Sequence, residues 1–573
     1  MNTSPDSPVG SSINSGVPAE PVAAMTRREF GGHVVRGLGA IALASSGIKA
    51  FGGGGGGGRK PNIVWLFSDQ HAYNYCGFMG HKIVKTPNLD RIAKLGVVFQ
   101  NTYCGNPVCC PSRSGTISGV YPSDVNSFCN TTAWDGSVPA WPALLRDAGY
   151  KTFGTGKMDA SSAGDLGFDE SPDLRNDHDT NPDVTGFFRR PLCFRTEERN
   201  IIRGASRTKR HADGTLADAT VAFIRRQKGG AQPWAAYCGV HQPHPGFVGL
   251  EKYYNEYLKT VDMPPELTPE ELESMHPVFM ALRNFKNLSI PVPAGRIRSA
   301  RAAYYAMISE VDEYAGEIWK ALEETGQLDN TIFVYSSDHG EALGLHGLWL
   351  KNNLYDCGAR VPLVMAGPGL PKGATVATPV MHVDLIRTFI EEGGAKTHSK
   401  LRGHSLVPLA NGQAGAHPGW AYSESHSEGN STGSFMIRKG DWKYIHFTYY
   451  PEALLFNIAE DPGERKNRFH DPSPEVQAVI KDLRGILHSQ VDPVEVTERA
   501  FATQRKRMER FAVESGGETG LFNALRGRLG DGQAMSLVNN HYGRPIKIDP
   551  SKLSQKKKDK DKDKKKAEKA GGD

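Results

Sequence analysis

The stretch Pro61-Asn62-Ile63-Val64-Trp65-Leu66-Phe67-Ser68-Asp69-Gln70 decides the fold. Ile63 to Phe67 is a short, continuous apolar run of β-branched and aromatic residues and leucine. A strand with one wet face alternates apolar and polar residues. This run does not, so it predicts a strand buried on both faces, as in a parallel sheet covered by helices. Two further runs read the same way: Ala235-Ala236-Tyr237-Cys238-Gly239-Val240, ending in His241, and Thr331-Ile332-Phe333-Val334-Tyr335, ending in Ser336-Ser337-Asp338-His339-Gly340. Amphipathic helices lie between them, such as Ala302 to Thr325, with Ile308, Val311, Ile318 and Leu322 at helical spacing. The predicted class is α/β, with a large, mostly parallel sheet flanked by helices. In such sheets ligands bind beyond the carboxyl ends of the strands. All three predicted strands end on Asp or His, which points to one site.

Outward from this core the chain divides by composition. Its 573 residues exceed what one core organises, so about two domains are expected. Residues 1–24 read as a disordered leader. Residues 25–50 contain Arg27-Arg28 before a mildly apolar stretch, like a bacterial twin-arginine export signal, which predicts a periplasmic or extracellular protein. Residues 51–58, with seven consecutive glycines, form a flexible linker. Residues 59–410, which hold all three predicted strands, read as the main α/β domain and the one expected to carry the site. Residues 411–510 read as a smaller α+β subdomain with an antiparallel sheet: a hairpin from Ser434 to His446 turning at Lys439-Gly440-Asp441, a third strand over Ala453–Asn457, and a helix over Glu475–Val491. Residues 511–550 are an extension and 551–573 a solvated Lys/Asp-rich tail.

Charge and cysteine usage exclude several classes. The net charge of +5 resides in the tail, where ten Lys face five Asp or Glu from Lys552 onward. The body is therefore near neutral, and no nucleic-acid partner is expected. No apolar run reaches 18 residues, so no stable membrane insertion is expected. Eight Cys are too few for a disulfide scaffold.

The motif that carries chemistry is Cys109-Cys110-Pro111-Ser112-Arg113, followed by Ser118-Gly119. It resembles the C-x-P-x-R signature of the sulfatases, in the alkaline-phosphatase superfamily, and only Cys109 puts Pro and Arg at the required places. The resemblance runs from about residue 59 to 490. It takes in Thr86-Pro87-Asn88-Leu89-Asp90-Arg91, Gly156-Lys157, His241-Gln242-Pro243-His244-Pro245, Ser337-Asp338-His339-Gly340-Glu341, Lys351 and Asp461-Pro462-Gly463-Glu464. The double Cys, Gly156-Lys157-Met158-Asp159 and Ser337-Asp338-His339-Gly340-Glu341 resemble the arylsulfatase K and choline-sulfatase-like branches.

The resemblance implies an alkaline-phosphatase-like fold and sulfate ester hydrolysis. It implies that a maturation enzyme oxidises Cys109 to formylglycine, whose hydrated form attacks sulfur. The implied metal ligands are Asp69, Gln70, Asp338, His339 and modified Cys109, an oxygen-rich set suited to Ca²⁺, with Mg²⁺ the other fitting ion. Gln70 stands where many members carry a second Asp, so the set has one negative charge fewer. Arg113, one helical turn after Cys109, would turn back to the site. Lys157, His244 and Lys351 would grip sulfate and the leaving oxygen. His244 is chosen as the acid because an imidazole can titrate near neutrality. The His that many members carry just after the lysine is missing; Asp159 or His346 could act in its place. Substrate contacts beyond sulfate are assigned to His346, Arg438 and Arg195, with Arg189, Arg190 and His426 nearby in sequence. Clustered Arg suits a carboxylated sugar, so a sulfated carbohydrate, uronic-acid-containing, is the expected substrate. Two alternatives stand: phosphonate or phosphate monoester hydrolysis, known in the same superfamily, and a non-catalytic sulfated-glycan binder with Cys109 unoxidised.

Overall fold

In a computed structural model of the chain, residues 59–160, 164–175, 199–413 and 415–553 are described. The leader, the twin-arginine segment, the polyglycine run, Arg189, Arg190, Arg195 and the tail beyond 553 lie outside the described residues. Among the described residues, no helix is long and apolar enough to cross a membrane.

The described residues build an eight-stranded sheet. Its strands are β1 (Asn62–Ser68), β2 (Val97–Phe99), β3 (Lys151–Lys157), β4 (Leu174–Arg175), β5 (Trp234–Gly239), β6 (Thr331–Ser337), β7 (Leu363–Ala366) and β8 (Ala374–Val376). The spatial order is β8-β2-β7-β6-β1-β5-β3-β4. The three runs read from sequence are β1, β5 and β6, adjacent in the middle and parallel. Only β7 runs against its neighbours β6 and β2, so the sheet is mixed but mostly parallel.

Successive residues of β1 enter different cores. Ile63, Trp65 and Phe67 pack with Leu385 and Phe389 on one face. Val64 and Leu66 pack with Ile318, Trp319 and Leu322 of the helix Ala294–Thr325 on the other. Two-sided burial explains why the run shows no alternation. Each such side chain contributes about 1.5–3 kcal/mol to stability.

Register then aligns the chemistry. Ser68 pairs with Ser337, so Asp69 and Asp338 leave the sheet side by side. Gly156 pairs with Gly239, so Lys157 emerges next to the loop carrying His241 and His244. Gly156 has φ +81°, and a Cβ there would sit 2.0 Å from the Gly239 carbonyl oxygen. Glycine is what lets Lys157 approach.

The C-terminal region holds an antiparallel sheet in the order β9 (Trp420–Ser425), β10 (Ser434–Lys439), β11 (Trp442–Phe447) and β12 (Leu454–Asn457). The predicted hairpin is β10–β11, and the predicted helix is Pro474–Gln490. Strand β9, half of it polar, had no strand signature of its own. The core under this sheet joins Tyr103, Phe128, Leu354 and Tyr355 of the main body to Tyr422, Ile437, Leu455 and Leu483. The helix Pro493–Glu514 runs across the boundary drawn at 510, so that division does not follow the structure. Its end packs with the helices Glu518–Leu529 and Asp531–Tyr542 around Met508, Leu521, Leu525 and Leu537.

Candidate active site

Four potential ligand atoms from Asp69, Cys109, Asp338 and His339 lie within 4.8 Å of one another, and all four residues are buried. Asp69 and Asp338 arrive from adjacent strand ends, with His339 next to Asp338. Cys109 opens the helix Cys109–Ser118, where the helix dipole favours a thiolate. Its Sγ lies 3.2 Å from His339 Nε2 and 2.6 Å from Lys351 Nζ. Burial and Asp69 push this thiol up, but Lys157, Lys351 and His339 outweigh them and hold it down at about 5. Burial pushes the neighbouring Cys110 thiol well up.

Arg113 lies one turn along the same helix and is fully buried. Its Nε donates to Asp338 Oδ2 at 2.8 Å, and its Nη1 donates to the Lys157 carbonyl at 2.7 Å and to Tyr237 Oη at 2.9 Å. Its Nη2 is 3.6 Å from Asp69 Oδ2. Lys157 Nζ pairs with Asp69 and, at 3.1 Å, with Asp159 Oδ2. Burial alone would raise the Asp69 carboxyl, yet Lys157, His244, Lys351 and Arg113 hold it well below its ordinary value. Burial opposes the charge on Lys351, but Cys109 and Asp69 lift its pKa above the ordinary range.

Gln70 has a left-handed backbone, φ +69°. Its N–H donates to Asp338 Oδ1 at 2.9 Å, and its carbonyl accepts from Tyr304 Oη at 2.7 Å. The amide Nε2 donates to Glu341 Oε2. The amide Oε1 is buried without a hydrogen-bond partner. The two carboxylates and the His nitrogen of this cluster, with the unpartnered amide oxygen carried by the residue after Asp69, are donor types that fit a hard divalent cation.

His244 departs from expectation. Burial and the Lys351 charge push its pKa down to about 3, so the imidazole of the free site is neutral at pH 7. Its Nδ1 is 2.5 Å from the Pro245 carbonyl, which can only accept. The proton therefore sits on Nδ1, and Nε2 is bare. The sequence argument overlooked two lysines beside a buried ring.

The structure places three other candidates as follows. His346 has φ +54°, and that turn stacks its ring on Tyr355 at 3.8 Å, in a cavity with Tyr73, Asn74, Leu267 and Arg465. It is not brought to the Cys109 cluster, whereas Asp159 is. Arg438, on β10, is buried and its charge acts on Asp356 and Tyr103. His426 is buried with Nε2 3.2 Å from Glu424 Oε2.

Sequence reasoning missed Tyr237, Glu341 and Tyr304, which hold Arg113 and Gln70. Glu341 was quoted within Ser-Asp-His-Gly-Glu but given no role, because only the fold brings it to Gln70. A second cluster, Asp384, His404 and His417, also brings ligand-type atoms together. There Gly419 N–H donates to His417 Nδ1 at 3.0 Å, so the proton sits on Nε2, 3.2 Å from Asp384 Oδ2. That is a hydrogen-bonded clasp.

A family model described as Sulfatase matches residues 61–395, and one described as N-sulphoglucosamine sulphohydrolase, C-terminal, matches 344–492. Arylsulfatase K of Danio rerio is 33% identical over 464 residues, covering 76% of this chain and 84% of that protein. A choline-sulfatase of Rhizobium meliloti (strain 1021) is 30% identical over 449 residues, covering 74% and 86%. Among solved structures, BT4656 in complex with D-glucosamine-2-N,6-O-disulfate matches with TM-score 0.60 at 22% identity, covering 78% of this chain and 99% of that one. A phosphonate monoester hydrolase from Silicibacter pomeroyi matches with TM-score 0.62 at 22% identity, covering 75% and 96%. At those identities the solved structures speak for the fold.

Proposed function

Because the chain belongs to the sulfatase family and is a sulfuric ester hydrolase, we propose that it removes sulfate from a sulfated carbohydrate outside the cytoplasm, using formylglycine made from Cys109 and a divalent cation, Ca²⁺ before Mg²⁺. The observation that carries the reading is the buried cluster of Asp69, Asp338 and His339 around Cys109, with Lys351 on its sulfur. Support for a sugar is of two kinds: the disulfated glucosamine bound by a protein of the same fold, and the twin-arginine pair, which suits export toward extracellular polysaccharide.

Formylglycine would supply a hydrated aldehyde as the nucleophile. A cation held by Asp69, Gln70, Asp338 and His339 would supply Lewis acidity toward a sulfate oxygen. The chain's own groups do the rest. Arg113 ties both carboxylates and the Lys157 carbonyl into one frame. Lys157 and Lys351 place fixed positive charge where the transferring SO₃ gathers negative charge. His244, neutral when the site is empty, gains basicity as an anion enters beside it, so it takes up a proton with substrate and can pass it to the leaving oxygen.

The phosphonate hydrolase among the fold relatives favours a second reading, phosphonate monoester hydrolysis. One experiment separates them: kcat/KM for 4-nitrophenyl sulfate and 4-nitrophenyl phenylphosphonate on the same preparation. The sulfate ester is expected to be the better substrate. A preference for the phosphonate overturns the proposal.

The role of His244 has its own test. His244→Ala should lower kcat/KM by about 10²–10³ for an alkyl sulfate and far less for 4-nitrophenyl sulfate, whose leaving oxygen needs no proton. Equal losses would mean that His244 only grips sulfate.

A further inference from the structure

Glu341 touches none of the clustered ligand atoms, yet its two oxygens divide cleanly between two duties. Oε1 accepts the Leu343 N–H at 2.8 Å and the Leu350 N–H at 2.6 Å. Oε2 accepts from the Gln70 amide nitrogen. The residue is fully buried. Gln70 is equally fixed, with its N–H on Asp338 and its carbonyl on Tyr304. Tyr304 Oη in turn accepts the Ala72 N–H at 3.0 Å.

An amide at this position has two chemically opposite ends that differ little in shape. One end accepts and can ligate a cation; the other donates and repels it. The backbone of Gln70 does not choose between them. The choice is made by whatever faces the amide from behind, and an acceptor there draws the NH₂ toward itself. That partner is Glu341, and Oε1 of Gln70 is left buried and unpartnered.

We propose that Glu341 is a positioning residue that locks the Gln70 amide with its oxygen turned to the cation site. This rests on the reading above that a divalent cation binds at Asp69, Asp338 and His339. The lock stands in for the charge the site lacks: a second Asp would present an oxygen whichever way it turned, whereas Gln does so only when held. Through the Leu350 N–H, Glu341 also braces the bend that carries Lys351.

The test reads cation affinity directly, by titration calorimetry of Ca²⁺ into chelator-stripped protein, alongside the melting temperature in chelator. Glu341→Gln keeps the shape. Its single oxygen is drawn to the Leu343 and Leu350 N–H groups, so its NH₂ faces Gln70. Gln70 must then flip and present its own NH₂ to the cation. Ca²⁺ affinity should fall about 10- to 100-fold, the usual range for loss of a partner behind a metal ligand. Exchanging the two groups, Gln70→Glu with Glu341→Gln, restores an oxygen toward the cation and a donor–acceptor pair behind it, so the double variant should recover most of the affinity. Three results are decisive against it. If Glu341→Gln binds Ca²⁺ like the parent and only melts lower, Glu341 is merely a brace and the proposal falls. If the single variant is weak but the double variant is no better, the orientation argument falls. If the parent itself takes up no divalent cation, or Asp338→Ala binds as well as the parent, the cation reading falls and this proposal falls with it.

Discussion

Cys109→Ala is expected to lose turnover by roughly 10⁴-fold or more, the scale seen when a covalent nucleophile is removed. The chain should still fold, since trimming one buried sulfur costs about 1 kcal/mol. Cys110→Ala, one residue on, should keep much of its activity. The contrast follows from position: Cys109 faces His339 and Lys351 and its thiol is held down at about 5, whereas burial pushes the Cys110 thiol well up. Mass spectrometry of the Cys109 peptide from active protein should show sulfur lost and an aldehyde gained. A fully active preparation with an intact Cys109 thiol, or a dead Cys110→Ala beside a live Cys109→Ala, would overturn the assignment.

Lys351→Ala is expected to lower kcat/KM by about 10²–10³, the scale for losing one charged contact to a transition state. The loss should be nearly the same for a minimal aryl sulfate and for a sulfated oligosaccharide. Lys351 Nζ sits 2.6 Å from Cys109 Sγ, where every substrate must bring its sulfur. All substrates share that group, so a residue gripping it cannot distinguish one sugar from another. If the aryl sulfate were unaffected while the oligosaccharide suffered, Lys351 would belong to the sugar subsite.

The middle of the sheet was legible because β1, β5 and β6 are buried on both faces and carry no alternating pattern. The residues ending them, Asp69, His241 and Asp338, pointed to a common edge before any register was known. Strand β9 was not legible: Ser423, Glu424 and Ser425 are polar yet buried, and Glu424 accepts the Ser123 N–H from 301 positions away. The same limit applies within the site. Cys109 and Arg113 stand one helical turn apart and could be paired from spacing. Glu341 and Gln70 are joined by folding across 271 positions. His346 shows the opposite error. Five residues before Lys351 in sequence, it is turned by its left-handed backbone onto Tyr355.

The shared core beneath the C-terminal sheet sets the smallest piece of this chain that can work. Glu424 N–H donates to the Gly105 carbonyl at 2.9 Å, just ahead of the Cys109 turn. Asn430 Nδ2 donates to the Asn352 carbonyl at 2.9 Å, next to Lys351. Cutting the chain after residue 410 would therefore bare Tyr103, Phe128 and Tyr355 and release both loops from their clamps. Heat should act as the scissors would: loss of the C-terminal sheet and loss of the site belong to one cooperative melting event. For the same reason, a graft of this fold onto another sugar has to carry both regions together, as a single heritable module.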